Sequence, residues 1–173
     1  MEKNISQEPQ KQSDFKQDFD VLRRTYLLSN LSTDCLKLFA MLSKRVVMVD
    51  DETLTDQGEV LDKAFYLISG LLEVLYQGEN SSPEVIGVFE PGTFGGGASL
   101  LARMQSNFSL RAQGSCQLIT IGRLEFEKIE RKFPEIRQQM VANLVQELVR
   151  KDREMMVNDN ESVDFASLPV SLI

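Results

Sequence analysis

The chain of 173 residues contains no histidine, no tryptophan and only two cysteines, Cys35 and Cys116. Histidine is the commonest general base and the commonest metal ligand, so its absence excludes the familiar catalytic and metal sites built on it. The two cysteines lie far apart in apolar stretches and are expected to be buried, unpaired thiols. No nucleophile–base pair or metal-ligand spacing appears elsewhere, so the sequence predicts that the protein is not an enzyme.

The sequence also lacks long apolar runs and an excess of positive charge. No segment reaches the roughly 18 apolar residues of a membrane span, and the first residues contain no apolar run typical of a secretory signal. The formal net charge is −7, which opposes non-specific binding to DNA or anionic lipid. Its basic clusters, such as Arg23–Arg24 and Arg150–Arg153, are expected to be solvated helix faces. We therefore expect a cytoplasmic protein with no membrane insertion, no DNA binding and no cofactor.

Length and composition predict one domain with loose ends. With 42% hydrophobic residues, the chain can bury one sizeable core. Residues 1–18 are polar and are expected to form a disordered leader, whereas residues 19–157 are expected to fold. Residues 158–173 mix acidic, small and apolar side chains without a period and are expected to form a flexible tail.

The hydrophobic pattern changes twice along the folded part. Helical spacing over Phe19–Leu42 predicts two short helices, and Val46–Ile121 contains many short strands broken by turns, which is typical of a sandwich or barrel. The pattern then returns to helix, with a short helix over Arg123–Lys132 and a long one over Glu135–Val157. The expected fold class is therefore mainly β with flanking helices, an α+β fold.

The long final helix carries a broad apolar stripe that is expected to be buried against another surface. Its candidate interface residues are Ile136, Met140, Val141, Leu144, Leu148 and Met155. The stripe is compatible with a two-helix seam in a homodimer, and equally with packing of the helix against its own barrel. The expected partner is therefore a second copy of the chain or another protein.

Three consecutive glycines, Gly95–Gly97, open a short apolar helix. Glycine lets the backbone bend and brings bare N–H groups to a helix start, which is an arrangement that binds phosphate and other anions. On these grounds the segment from Phe94 to Ala112 is the candidate ligand site.

Four stretches carry a resemblance to a known family: Leu27–Ser32, Thr53–Glu59, Phe65–Val74, in which Gly70 is expected to turn a hairpin, and Glu90–Gly95. Together they resemble the cyclic nucleotide-binding domain, the sensor module of catabolite-activator-type regulators, of cyclic-nucleotide-dependent kinases and of gated channels. The resemblance covers residues 19–156. It implies a jelly-roll β-barrel with N-terminal helices and a long C-terminal helix.

The family's phosphate-binding cassette departs from its pattern here. In binding members it reads Phe-Gly-Glu, an apolar helical turn and then Pro-Arg; the Glu binds the ribose hydroxyl and the Arg binds the cyclic phosphate. Here the glutamate slot holds Gly96. The arginine slot holds Gln105 when residues are counted forward from Phe94, and Ser106 when they are counted backward from Ala112. Each charge-assisted hydrogen bond contributes about 1.5–3 kcal/mol, so the two losses predict binding weaker by about 3–6 kcal/mol.

Two functional hypotheses follow from the sequence and the resemblance. The first is a non-catalytic regulatory module that has lost most or all binding of cAMP and cGMP and acts through protein contacts. The alternative is a working sensor of a cyclic nucleotide or another small anion, with Arg103 or Arg111 supplying the positive charge. The tail is too short and too acidic for a helix-turn-helix, so we expect no DNA reading. The candidate ligand-binding residues are Gly95, Gly96, Gly97, Ala98, Ser99, Arg103, Gln105, Ser106 and Arg111.

Overall fold

The computed structural model describes residues 7–157 and begins with helices. Helix α1 (Gln7–Leu22) and a 3-10 turn (Tyr26–Leu28) lead to α2 (Thr33–Leu42). The expected disordered leader over residues 1–18 is therefore wrong from Gln7 onward. Phe15, Phe19 and Leu22 lie on successive turns of α1 and pack against the core, so a narrow apolar stripe in a polar stretch is enough to hold this helix. The expected tail, residues 158–173, lies outside the described residues.

A partly buried ion pair between Asp18 and Arg45 joins α1 to the sheet. Asp18 is buried, and its Oδ1 atom accepts hydrogen bonds from Arg45 Nε at 3.0 Å and from Arg45 Nη2 at 2.7 Å. The same Nη2 atom donates to Gln17 Oε1 at 2.8 Å. These contacts between residues distant in sequence hold α1 on the sheet. The polar composition of residues 1–18 did not indicate them.

Within residues 7–157, two antiparallel sheets contain eight strands. Their bounds are β1 (Lys44–Met48), β2 (Thr53–Thr55), β3 (Val60–Leu61), β4 (Lys63–Tyr76), β5 (Glu84–Phe89), β6 (Phe94–Gly95), β7 (Met104–Gln105) and β8 (Ser109–Gly122). The larger sheet has the order β1-β8-β4-β5, with β2 paired to β8 and β6 to β4, and β3 pairs with β7 in the smaller sheet. The predicted α+β class, with an antiparallel jelly-roll arrangement and flanking helices, is confirmed.

The hairpin expected at Gly70 is wrong. β4 continues through Gly70, whose φ is +87°, and pairs with β8 on both sides of it. The register shifts twice between Leu67 and Leu71. A Cβ atom at Gly70 would lie 2.4 Å from the carbonyl oxygen of Ser115 on β8. Gly70 therefore marks a bulge where two strands approach closely. In the sequence, a glycine at such a bulge cannot be distinguished from a glycine in a turn.

The buried apolar side chains form two clusters. The first lies between the strands and includes Met48, Phe65, Leu67, Leu72, Val74, Phe89, Leu110, Ala112, Cys116 and Leu118. The second lies between the helices and one end of the sheet and includes Leu22, Leu27, Cys35, Phe39, Phe126, Ile129, Ile136 and Met140. Both thiols are buried and unpaired, as predicted. Burial, with a smaller effect of Glu135, raises the pKa of Cys35 to about 11, so this thiol stays protonated at neutral pH.

The short helix α3 (Gly97–Leu101) lies between β6 and β7, and two helices follow β8: α4 (Arg123–Lys132) and α5 (Ile136–Val157). Of the candidate dimer residues, Ile136 and Met140 are fully buried in the chain's own core, and Leu144 packs against it. Leu148 is half-buried and Val141 is exposed, whereas the side chain of Met155 lies outside those described. None of the helices within residues 7–157 is long and apolar enough to cross a membrane.

Asn143 attaches α5 to the N-terminal turn. Its buried amide nitrogen Nδ2 donates to the carbonyl oxygens of Leu27 at 3.0 Å and of Ser29 at 2.8 Å. Both acceptors belong to the segment that ends the 3-10 turn, more than one hundred residues earlier in the chain. The first half of α5 is thus held on its own domain by hydrogen bonds as well as by apolar packing.

Replacing Asn143 with alanine tests this attachment. We expect Asn143→Ala to lower the free energy of unfolding by about 1–3 kcal/mol, because two carbonyl groups lose their donor in a largely buried place. Gln138→Ala, on an exposed position of the same helix, is the matched control and should change it by less than about 0.5 kcal/mol. Urea denaturation measures both, and equal effects would contradict the role assigned to Asn143.

Candidate functional site

The glycine-rich segment reaches the sheet through a tight turn after β5. Gly92 has φ +100° and donates its N–H to the carbonyl oxygen of Leu67 at 2.8 Å, while the Leu67 N–H donates to Thr93 O at 2.9 Å. β6 then pairs with β4, with Phe94 opposite Tyr66 and Gly95 opposite Phe65. β4 therefore positions the start of the cassette by backbone hydrogen bonds.

Gly96, at the glutamate slot, has no room for a side chain. Its φ is +70°, in the left-handed region, and it precedes α3 as the N-cap residue. A Cβ atom there would lie 2.4 Å from the carbonyl oxygen of Lys63 and 3.2 Å from the Cα atom of Ala64. The backbone of β4 thus occupies the place into which a side chain at this slot would have to grow.

The rest of the cassette helix is packed against its own chain. Residues 94–100 are all buried. A Cβ atom at Gly97 would lie 2.6 Å from Leu27 Cδ2 and 3.0 Å from Phe94 Cε1. The hydroxyl of Ser99, fully buried, lies 2.7 Å from Gly96 O and 3.1 Å from Lys63 O. This hydroxyl is therefore used in holding the cassette to β4.

The two candidates for the arginine slot are neighbours in the chain: Gln105 ends β7, and Ser106 directly follows it. Gln105 is exposed and pairs with Val60 of β3. Ser106 is buried; its hydroxyl donates to Phe108 O at 2.6 Å and its N–H donates to Glu59 O at 2.8 Å. Neither residue brings a positive charge to the cassette, and both stabilise the loop around it.

The two arginines proposed as substitutes lie in different places. Arg103, between α3 and β7, is exposed and forms no ion pair with another described residue. Arg111 lies on β8 between Leu110 and Ala112, which face the inner cluster, so its own side chain projects from the opposite face of the strand. The structure brings Gly95 to Ser99 together in one segment, and it separates this segment from Arg111.

An ion pair holds Arg111 on that outer face. Its Nη2 atom donates to Glu73 Oε2 at 2.7 Å, and its Nη1 atom lies 3.7 Å from Asp51 Oδ1. Glu73 is the cross-strand neighbour of Arg111 on β4. The hydrogen bond to Glu73 raises the pKa of Arg111 above its ordinary value. A ligand role for Arg103 or Arg111 stays a prediction.

Two arginines that the sequence did not single out bind the end of the cassette helix. Arg123, at the start of α4, donates from Nη2 to Ala102 O at 2.7 Å. Arg137, on α5, donates from Nη1 to Leu101 O at 2.6 Å. These bonds satisfy carbonyl groups at the C-terminus of α3 and connect the cassette to both following helices. No local sequence pattern marks this role, because each acceptor is a distant backbone atom.

Glu130 holds Arg137 in place. Its carboxylate forms a two-pronged hydrogen bond with the guanidinium group, with Nη2 and Oε2 2.8 Å apart, and Arg137 lies 5.6 Å above the Phe126 ring. Hydrogen bonding to Arg137 lowers the pKa of Glu130. The carboxylate therefore stays ionised at neutral pH and keeps the guanidinium group oriented toward α3.

Comparisons with known proteins agree with this architecture. Potassium channel GORK from Arabidopsis thaliana is 23% identical over 132 residues, covering 76% of this chain and 16% of the channel. This chain thus spans about a sixth of the length of that relative. The N-terminal domain of a transcriptional regulator from Streptomyces coelicolor A3(2) superposes with a TM-score of 0.68 at 19% identity, covering 83% of this chain and 100% of that one. A cyclic nucleotide-binding domain from Methylobacillus flagellatus superposes with a TM-score of 0.67 at 16% identity, covering 86% and 84%.

The family model supplies the assignment. The model described as the cyclic nucleotide-binding domain matches residues 45–133, from β1 to the end of α4, and these include the whole cassette. The solved structures support the same fold at low identity. The chain therefore belongs to the cyclic nucleotide-binding domain family.

Proposed function

We propose that this domain is a non-catalytic regulatory module that has lost most or all cyclic nucleotide binding and acts through protein contacts. The observation that carries the proposal is the packing of Gly96 against the Lys63 carbonyl, which leaves the ribose-binding carboxylate no place. Gln105 and Ser106 leave the phosphate without a guanidinium group from the arginine slot. At about 1.4 kcal/mol per tenfold, a loss of about 3–6 kcal/mol raises the dissociation constant of a micromolar site to between about 0.1 mM and about 20 mM.

The cassette retains a mechanical role under this proposal. Arg123 and Arg137 connect the end of α3 to α4 and α5 through backbone carbonyl groups. A partner that displaces α5 would therefore have to break or move the bond to Leu101. The module is built to couple α5 to the barrel even when no nucleotide is bound.

The exposed face of α5 is the surface we propose for the protein contact. Val141, Val145 and Val149 follow one another at single-turn spacing and are 43%, 53% and 47% exposed. A shallow groove of about 460 Å³ lies beside them and is lined by Val145, Gln146, Val149, Arg150 and Arg153. The apolar stripe of the sequence therefore has two parts, one packed on the domain and one presented outward. We take a second copy of the chain as the partner, because a helix with repeating exposed valines suits a self-complementary two-helix seam.

The close contact of Gly96 with Lys63 predicts that Gly96→Ala lowers the free energy of unfolding more than the matched substitution Gly114→Ala does. Gly96 and Gly114 have φ values of +70° and +73°, but an added Cβ meets nothing within 4 Å at Gly114. We expect Gly114→Ala to cost about 1–2 kcal/mol for the left-handed backbone alone. Gly96→Ala should cost about 1–3 kcal/mol more, because the clash with Lys63 O forces a backbone shift. Urea denaturation measures both, and equal costs would contradict the packing described here.

Titration calorimetry with cAMP and with cGMP tests the loss of binding. We expect no binding of either nucleotide in the micromolar range, because both charge-assisted contacts are missing. Micromolar binding would contradict the degenerate cassette and support the alternative function, a sensor with a non-standard site. In that case Arg103→Ala should abolish the binding, and Arg131→Ala, an exposed arginine on α4, should leave it unchanged.

Light scattering on the purified chain tests the α5 contact. We expect a dimer at about 100 μM, and a monomer for Val145→Glu, because a carboxylate in an apolar seam would be desolvated without a partner. Val47→Glu is the matched control, since Val47 is 65% exposed on β1, and it should remain dimeric. A monomeric wild-type chain, or dissociation of both variants, would contradict the seam.

A further inference from the structure

A concave site adjoins the cassette at its first residue, Phe94. A groove of about 560 Å³ is bounded by the end of α1, the 3-10 turn, β4, the turn before β6, and α5. None of the described residues from Gly95 to Ser106 lines it. Its volume falls within the roughly 300–1,000 Å³ typical of small-molecule sites.

The charge of the groove is opposite to that of the whole chain. Arg24, Arg150 and Lys151 line it together with one carboxylate, Glu147, whereas the formal net charge of the protein is −7. Glu147 accepts hydrogen bonds from Arg150 at 2.9 Å and 2.5 Å, and this bonding lowers its pKa. Arg24 forms no ion pair with any residue in the described range. The groove therefore retains excess positive charge in a protein that is otherwise acidic, which favours an anion.

Aromatic side chains form the apolar part of the lining. Tyr26, Tyr66 and Phe94 all line the groove. The rings of Tyr26 and Phe94 are in edge contact, with centroids 6.1 Å apart and planes at 80°. Aromatic faces and edges beside positive charges suit a ligand that joins a planar ring to an anionic group.

Hydrogen bonds hold the walls of the groove before any ligand arrives. The two bonds from Asn143 fix α5 on the segment after Tyr26. The bond from Gly92 N–H to Leu67 O fixes the turn on β4. Because these walls are already ordered, a ligand loses less free energy on binding than it would in a mobile site.

We propose that this groove binds a small organic anion that carries an aromatic ring, with the phosphate or carboxylate group toward Arg24 and Lys151 and the ring against Tyr26 and Tyr66. The site shares only Phe94 with the cassette and does not depend on the proposed function. A small molecule bound there would contact α1, the turn before β6 and α5 at the same time.

Phenyl phosphate is the probe that tests the assignment, with inorganic phosphate and phenol as its two halves. We expect saturable binding of phenyl phosphate by calorimetry, and binding at least about tenfold weaker for either half, because each keeps only part of the contacts. Amide resonances of Gly92 and Thr93 should shift during the titration. Absence of saturation at about 10 mM, or shifts centred instead on Gly96 and Gly97, would overturn the proposal.

Charge reversal separates this groove from general attraction to positive charge. Arg24→Glu and Lys151→Glu should each weaken phenyl phosphate binding about tenfold or more. Arg131→Glu, an exposed arginine on α4 away from the lining, is the control and should stay within about twofold of wild type. Equal weakening in all three variants would overturn the proposal. Displacement of phenyl phosphate by a glutamate-rich peptide that binds more tightly would overturn the assignment to a small molecule.

Discussion

The close approach of Gly96 to the carbonyl group of Lys63 is the constraint on which the architecture of the cassette depends. β4 pairs with β8 and β5 and also with the short strand β6, so one strand carries both the sheet and the start of the cassette. The buried Ser99 hydroxyl adds a bond to the same Lys63 carbonyl. With β4 in this position, a side chain at residue 96 would collide with the backbone of Lys63 and Ala64. At Gly96 and Gly97 the absence of a side chain is therefore a requirement of packing.

The C-terminal helices extend this arrangement toward the surface. Arg137, oriented by Glu130, bonds the end of α3, and Asn143 on the same helix bonds the N-terminal turn. α5 thus contacts the cassette helix and the N-terminal segment through polar groups, while its valine face remains exposed. A molecule bound at that face or in the basic groove beside Lys151 would act on the same helix. Through α5, both surfaces are therefore connected to the cassette helix and to the N-terminal turn.

The sequence predicted the parts of the fold that local patterns encode. α4 has the predicted bounds, Arg123–Lys132, because amphipathic spacing and a following proline both mark a short helix. The departures of the cassette from its family could also be read from the residue types at Gly96 and Gln105. The bulge at Gly70 could not, since its cause is Ser115, a residue brought near only by the pairing of β4 with β8. Two further features likewise depend on partners distant in sequence. They are the packing of α1 and the hydrogen bonds from Arg123 and Arg137 to the end of α3.

The central proposal is that the cassette is a packed structural element that has lost most or all binding of cyclic nucleotide. A site-resolved NMR titration with cAMP tests it most directly, because the amide resonances of Gly96 and Gly97 report on this segment separately from the groove. The account predicts that these two resonances stay in place at about 10 μM cAMP, where a site with micromolar affinity would be mostly occupied. A saturable shift of both resonances at micromolar cAMP would contradict it.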